Sequence, residues 1–159
     1  MPIIQVGALA RILIASQAPG RRAHETAVPF ADRAGDTLRH WLGLDGATFY
    51  DPEVVAILPI GLCYPGRRPG SDLPPRPECA PRWHEPLRAL MPDIRLTLVL
   101  GRHAQAHHPR DALQTNPERN GRRVFRIPAG PFPSAPPVAA QPPLAAAPSM
   151  VRARRLPAL

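Results

Sequence analysis

Two short polar segments follow apolar runs of this 159-residue chain, and both carry residue types that bind ligands. The first, "SQAPGRR" (16–22), places a proline–glycine turn before Arg21 and Arg22, and the second, "GLCYPGRR" (61–68), contains Cys63. Paired guanidinium groups bind phosphates, or they are ordinary solvated surface charges. If the apolar runs are parallel strands, both segments lie beyond the strands' carboxyl ends, where open α/β sheets bind their ligands.

The elements that must position these segments form an alternating pattern of strands and helices. Short apolar runs predict buried strands near residues 11–16, 54–60 and 95–101. Helical spacing predicts helices over 35–42 and 83–90, and a further helix begins after the third strand. This alternation predicts an α/β domain with a parallel sheet.

Composition divides the chain into two parts. Residues 1–109 hold 12 Arg against 10 acidic residues, whereas residues 110–159 hold 8 Arg against 2, so most of the net charge of +8 lies in the last third. From about residue 115 the periodicity is lost, and we predict a disordered Pro/Ala/Arg-rich tail over 109–159 after a domain over 1–108. Basicity alone is therefore weak evidence for nucleic-acid binding.

The sequence also limits where the protein works. No apolar run reaches the roughly 18 residues of a membrane span, and the first 15 residues make a poor signal peptide. Two cysteines without a secretory signal predict a reducing, cytoplasmic setting. We expect a monomer that does not associate with membranes.

Four blocks in order resemble the motifs of the uracil-DNA glycosylase superfamily. They are "SQAPGRRAHETAVPFADRAGDTL", "LPIGLCYPG", "DLPPRPECAPRW" and "LTLVLGRHAQ", which together cover roughly residues 3–108. The first block is similar to the Gly-x-Ala-Pro-Gly and Pro-Phe motif of the bacterial and archaeal iron–sulfur branch and its relatives. The resemblance implies a three-layer α/β/α sandwich with a central parallel sheet.

The resemblance also implies a chemistry, in which the enzyme flips one nucleotide out of DNA and hydrolyses the bond between base and sugar. Gly20 then lets the backbone approach the flipped nucleotide, and Ala18 and Pro19 complete a stiff, preorganised turn. Phe30 is the aromatic on which the base stacks, with a core aromatic as the alternative interpretation. Phosphates near the flipped nucleotide would bind the arginine pair, Arg21 and Arg22.

The resemblance gives two candidates for the water-activating position. The iron–sulfur branch has a glutamate where this chain has Gln17, and an amide cannot act as a base. A neighbouring branch has an aspartate three residues before the helix-starting glycine, as Asp32 stands before Gly35, so we expect Asp32 to be the base or electrostatic stabiliser. A helix N-cap is its alternative role, and Glu25 is a weaker candidate. Pro59 replaces the asparagine with which many relatives read uracil, which leaves base specificity open.

Cys63 and Cys79 resemble the second ligand pair of the 4Fe–4S cluster in the iron–sulfur branch. A cluster needs four thiolates, and the first pair normally forms a Cys-x-x-Cys motif before the first strand. The chain has no other cysteine and begins just after that position, so we expect a truncated start, two free thiols and no cluster.

The chain contains no His-Pro-Ser motif, which in the family stabilises the departing base and enters the minor groove. His103, His107 and His108 are predicted to be surface residues instead. Reading residues 134–152 one nucleotide out of frame, permitted codons can spell LPHPSPRNRLWLRRHPWFE, which suggests a frameshifted end.

We therefore expect a DNA repair glycosylase-like protein that acts on uracil or a related damaged base in DNA, with impaired activity. The alternatives are a non-catalytic glycosylase remnant with at most weak DNA binding and an unrelated Rossmann-like module for small molecules.

Overall fold

The computed structural model describes residues 1–108 and the backbone of residues 123–127. A four-stranded parallel sheet has the order β2-β1-β5-β6, and its strands are β1 (Ile12–Ala15), β2 (Val55–Ile57), β5 (Leu96–Leu100) and β6 (Arg123–Ile127). A small antiparallel hairpin consists of β3 (Arg67–Arg68) and β4 (Ser71–Asp72). The helices are α1 (Arg21–Thr26), α2 (Arg33–Leu42), α3 (Gly46–Phe49), α4 (Cys79–Ala89) and α5 (Arg102–His107).

The three strands predicted from apolar runs are present and parallel. Ile12 of β1 aligns with Val55 on one side and with Leu96 on the other. Each run is short and apolar because both faces of a parallel sheet are covered, so no side of the strand needs polar residues. Pro59 lacks a backbone N–H group, and β2 ends two residues before it.

The sheet separates two hydrophobic layers. Leu13 and Ile14 are consecutive, so they face opposite sides of the sheet. Leu13 belongs to a core cluster that Leu87 of α4 joins, whereas Ile14 packs with Leu38 of α2 and Phe49 of α3. The predicted three-layer α/β/α sandwich is therefore confirmed.

The ends of α2 follow ordinary capping rules. Asp32 precedes the helix in extended conformation, and its Oδ1 accepts a hydrogen bond from the Gly35 backbone N–H at 3.0 Å. Gly43 ends the helix with φ of 65°, a left-handed conformation that glycine adopts without strain.

The short helices α1 and α3, the hairpin and β6 were not predicted from the sequence. The hairpin of β3 and β4 lies within a Pro/Gly-rich loop, where its two-residue strands carry no apolar pattern. β6 lies in the segment assigned to the tail, and its sequence RVFRI lacks the continuous apolar run of the other strands. The rest of that segment, 109–122 and 128–159, lies outside the described residues, as does the proposed out-of-frame motif.

The strand order predicts a crevice between β1 and β5. After β1 the chain passes through α1 to α2, which packs on one face of the sheet, and after β5 it enters α5, whose Ala104 packs with Ala15 on the other face. Neighbouring parallel strands whose connections leave toward opposite faces form the switch point where α/β proteins bind ligands. Both crevice-forming segments, "SQAPGRR" and "GRHAQ", follow these two strands.

Candidate functional site

The turn after β1 is held on both sides by the loops that follow the neighbouring strands. The Gln17 carbonyl accepts a hydrogen bond from the Gly61 N–H at 2.8 Å, and its side-chain Oε1 accepts one from the His103 N–H at 3.4 Å. A Cβ at Gly101 would lie 2.7 Å from Gln17 Cγ, and Gly101 has φ of 84°. Gln17 thus joins β1, β2 and β5 at the crevice, as an amide can without acting as a base.

The Ala18–Gly20 turn leads into α1 in an open arrangement. Gly20 is extended, with φ of −78° and ψ of 173°, so left-handed backbone does not explain the glycine. A Cβ built there would meet only Asp32 Oδ2, at 3.8 Å. The absent side chain leaves space directly in front of this carboxylate.

The two carboxylate oxygens of Asp32 have different surroundings. Oδ1 accepts the capping hydrogen bond from Gly35, which confirms the N-cap interpretation. Oδ2 faces the space at Gly20, and within residues 1–108 no group donates a hydrogen bond to it. One side chain therefore both starts α2 and presents an acceptor to the crevice.

Phe30 precedes Asp32 by two residues and has unusual backbone geometry. Its φ is 54°, in the left-handed region that bulky residues rarely adopt. The half-buried ring meets Phe49 edge to face, with centroids 6.3 Å apart, and packs against the Ile14 cluster. The core-aromatic interpretation thus describes one side of the ring, while part of its surface stays accessible.

Sequence reasoning missed two residues that contact the Phe30 carbonyl. Tyr50 Oη donates to this oxygen at 3.1 Å, and Arg39 Nη1 lies 3.4 Å from it and 2.9 Å from Tyr50 Oη. Burial raises the pKa of Tyr50, opposed by the nearby Arg39 charge, so the phenol stays a donor at neutral pH. A chain separation of 20 residues between Phe30 and Tyr50 leaves no sequence signal for this contact.

The arginine pair occupies two different surroundings. Arg22 Nε donates to the Ala31 carbonyl at 2.8 Å, which ties α1 to the backbone between Phe30 and Asp32. Arg21 is exposed and lies 3.4 Å from Glu25, so Glu25 pairs with a surface cation. Both arginines remain exposed beside the turn, where phosphate binding stays a prediction.

Cys63 and Cys79 are free and half-buried, and Cys79 packs against the Leu13 cluster at the start of α4. The described residues contain no group of three or more His, Cys, Asp or Glu side chains arranged to hold a metal ion. Because a 4Fe–4S cluster needs four thiolates and the sequence has two, this chain does not supply a full ligand set.

One histidine prediction is wrong. His108 is only 7% exposed, because the six-residue helix α5 ends at His107 and the chain turns there, which places the His108 ring 6.3 Å from that of His84. His103 is half-buried and His107 is exposed. A helix of fewer than two turns gives too little periodicity to predict its buried face.

Buried His84 of α4 contacts the end of β2. Its Nε2 lies 2.9 Å from the Pro59 carbonyl, and a carbonyl only accepts, so Nε2 carries the proton. Burial lowers the pKa of His84, and His107 and Arg88 lower it further, while the hydrogen bond to Pro59 raises it. The ring borders a cavity of about 680 Å³ between α4 and the end of α5, away from Asp32 and Gly20.

The structure thus brings together the Ala18–Gly20 turn, the Phe30–Asp32 segment and Arg22 at one end of the sheet, with Gln17 bridging to β5. A carboxylate oxygen that lacks a donor among residues 1–108, beside an open turn and an aromatic ring, suits hydrolysis of a flat, polar substrate with a cationic transition state.

The family model of the uracil DNA glycosylase superfamily matches residues 4–143, which is most of the chain. The match begins before β1 and includes every residue of the site described above. The chain therefore belongs to the uracil DNA glycosylase superfamily.

Proposed function

We propose that this protein recognises uracil, or a related damaged base, in DNA and hydrolyses the N-glycosidic bond of the flipped nucleotide. Membership of the superfamily supports a glycosylase-type function. For this chain the proposal rests on the position of Asp32 Oδ2, which has no hydrogen-bond donor among residues 1–108 and faces the space that Gly20 leaves open.

The proposed roles follow from this geometry. Asp32 orients or activates the attacking water, or stabilises the positive charge that develops on the sugar as the base departs. Phe30 stacks on the flipped base, and stacking on an aromatic ring contributes about 1–3 kcal/mol per base. Arg21 and Arg22 bind the flanking phosphates, a contact that orients DNA without reading its sequence.

Cleavage by the chain is proposed to be slow. The chain has no His-Pro-Ser motif to stabilise charge on the departing base. Loss of a single preorganised donor for a developing negative charge typically lowers the rate by about 100- to 1000-fold. Release of the base should therefore be measured with protein in excess over DNA.

The test is the formation of abasic sites in single- and double-stranded oligonucleotides that contain one uracil. We expect slow release by the wild type, and a further loss of about 100-fold, or to background, in Asp32→Asn, because asparagine retains the N-cap but is not a base. Asp45→Asn is the matched control, since Asp45 caps α3 through Thr48 in the same way at 2.7 Å and lies outside the site.

Equal release by the wild type and Asp32→Asn would contradict the role of Asp32. Rapid release by the wild type would show that the missing motif is dispensable. If the protein neither releases uracil nor binds uracil-containing DNA preferentially, the result favours the alternative, a non-catalytic remnant with weak DNA binding.

A further inference from the structure

We infer that Arg39 and Tyr50 are positioning residues that hold Phe30 in its left-handed conformation and so set the orientation of its ring for stacking. The inference rests on the proposed function, because it concerns the same base-binding ring. It names two residues that act through Phe30 and do not touch the base.

The need for such a support comes from the backbone of Phe30. A φ of 54° is disfavoured for a residue with a side chain, and glycine or asparagine normally occupies such positions. A bulky aromatic keeps this conformation only where the surroundings determine it strongly. Strain of this kind concentrates at functional sites, where it fixes the direction of one side chain.

Two hydrogen bonds converge on the Phe30 carbonyl and define its direction. Tyr50 Oη uses its single proton to donate to that oxygen at 3.1 Å and accepts from Arg39 Nη1 at 2.9 Å. Arg39 Nη1 also donates to the carbonyl, at 3.4 Å. The three groups form a closed triangle that a rotated Phe30 peptide would break.

Arg39 is itself held in place. Its guanidinium carbon lies 5.3 Å from the centroid of the Phe49 ring and 5.4 Å from that of Tyr50, and Asp36 pairs with its other nitrogen. Only 17% of its side chain is exposed. A buried, stacked guanidinium is a rigid donor, which a lysine would not reproduce.

Helix α2 also packs closely against the Phe30 carbonyl. A Cβ at Gly35 would lie 1.9 Å from the Phe30 oxygen, so the helix backbone approaches as closely as glycine allows. Because Asp32 caps the helix at Gly35, the support holds the aromatic ring and the carboxylate in one rigid segment.

The experiment compares the dissociation constants of a uracil-containing single-stranded oligonucleotide and its thymine counterpart. We expect Tyr50→Phe, which removes only the hydroxyl, to lower the preference for uracil about three- to tenfold, a part of the stacking contribution. In a Phe30→Ala background, Tyr50→Phe should cause no further loss, because Tyr50 acts through Phe30.

Leu44→Ala is the control for a general loss of packing, since Leu44 packs against the same core cluster without bonding to Phe30. It should lower stability and leave the uracil preference unchanged. Arg39→Lys is a second variant, expected to lower the preference in a chain that keeps the positive charge.

If the wild type prefers uracil and both Tyr50→Phe and Arg39→Lys keep that preference, the inference is wrong, but the proposed function is not contradicted. The inference is also wrong if Tyr50→Phe causes a further loss in the Phe30→Ala background, or if Leu44→Ala lowers the preference equally. A wild type without any preference for uracil contradicts the proposed function, and the inference falls with it.

Discussion

Single glycines around the site serve different purposes. Gly20 has extended backbone and open space beside it, whereas Gly35 is pressed against the Phe30 carbonyl. Gly101 has left-handed backbone and lies against Gln17. Of these three glycines, Gly20 alone has open space beside it, which is where the proposed function puts the flipped nucleotide.

These surroundings predict opposite effects of adding one methyl group. Gly20→Ala should leave the free energy of unfolding unchanged or raise it by up to about 1 kcal/mol, because the methyl contacts only Asp32 at 3.8 Å. Gly35→Ala should lower it by about 1–3 kcal/mol, since the methyl collides with backbone. Urea denaturation measures both changes.

Binding distinguishes the variants further. Gly20→Ala should weaken the binding of a uracil-containing oligonucleotide while the fold stays intact. Wild-type binding by Gly20→Ala would show that the base does not approach this turn.

At the scale of elements, the sequence predicted those that depend on local pattern. The apolar runs of β1, β2 and β5 predicted their strands, and helical spacing over 35–42 predicted α2, which begins two residues earlier, at Arg33. β6 was missed because its arginines interrupt the apolar run. Pairing with β5 forms this strand, and long-range pairing leaves no local signal.

The candidate site could be predicted only where its residues lie close together in the sequence. The turn, Phe30 and Asp32 lie within 15 residues of one another, so a family resemblance identifies them together. Arg39, Tyr50 and His84 were missed because their contacts exist only after helices pack on the sheet.

The contact between α4 and the end of β2 predicts a pH dependence of stability. Burial holds the pKa of folded His84 below its ordinary value of 6.5, which the unfolded chain has. Below about pH 6.5 the unfolded state therefore binds more protons, and the free energy of unfolding should fall as the pH is lowered toward the folded pKa.

Urea denaturation between pH 7.5 and 5 measures this decrease, and His84→Gln should show a smaller one because an amide does not titrate. The same decrease in both proteins would mean that other groups cause it.

At the scale of the whole molecule, the site lies where the topology predicts a ligand. The chain leaves β1 and β5 toward opposite faces, and the Gln17 side chain against Gly101 closes the base of the crevice between them. In the described part of the chain, no helix is long and apolar enough to cross a membrane. The charge of residues 1–109 is nearly balanced, so we expect the proposed recognition of DNA to depend there on local contacts more than on overall basicity.

In the proposed function, the flipped base lies between the Ala18–Gly20 turn, Phe30 and Asp32. The most direct test is an NMR titration of the ¹⁵N-labelled protein with a uracil-containing oligonucleotide and with its thymine counterpart. We predict that the amide shifts unique to uracil concentrate at residues 17–20 and 30–32. Uracil-specific shifts that cluster at the cavity beside His84, or shifts identical for both oligonucleotides, would show that the base does not bind at this turn.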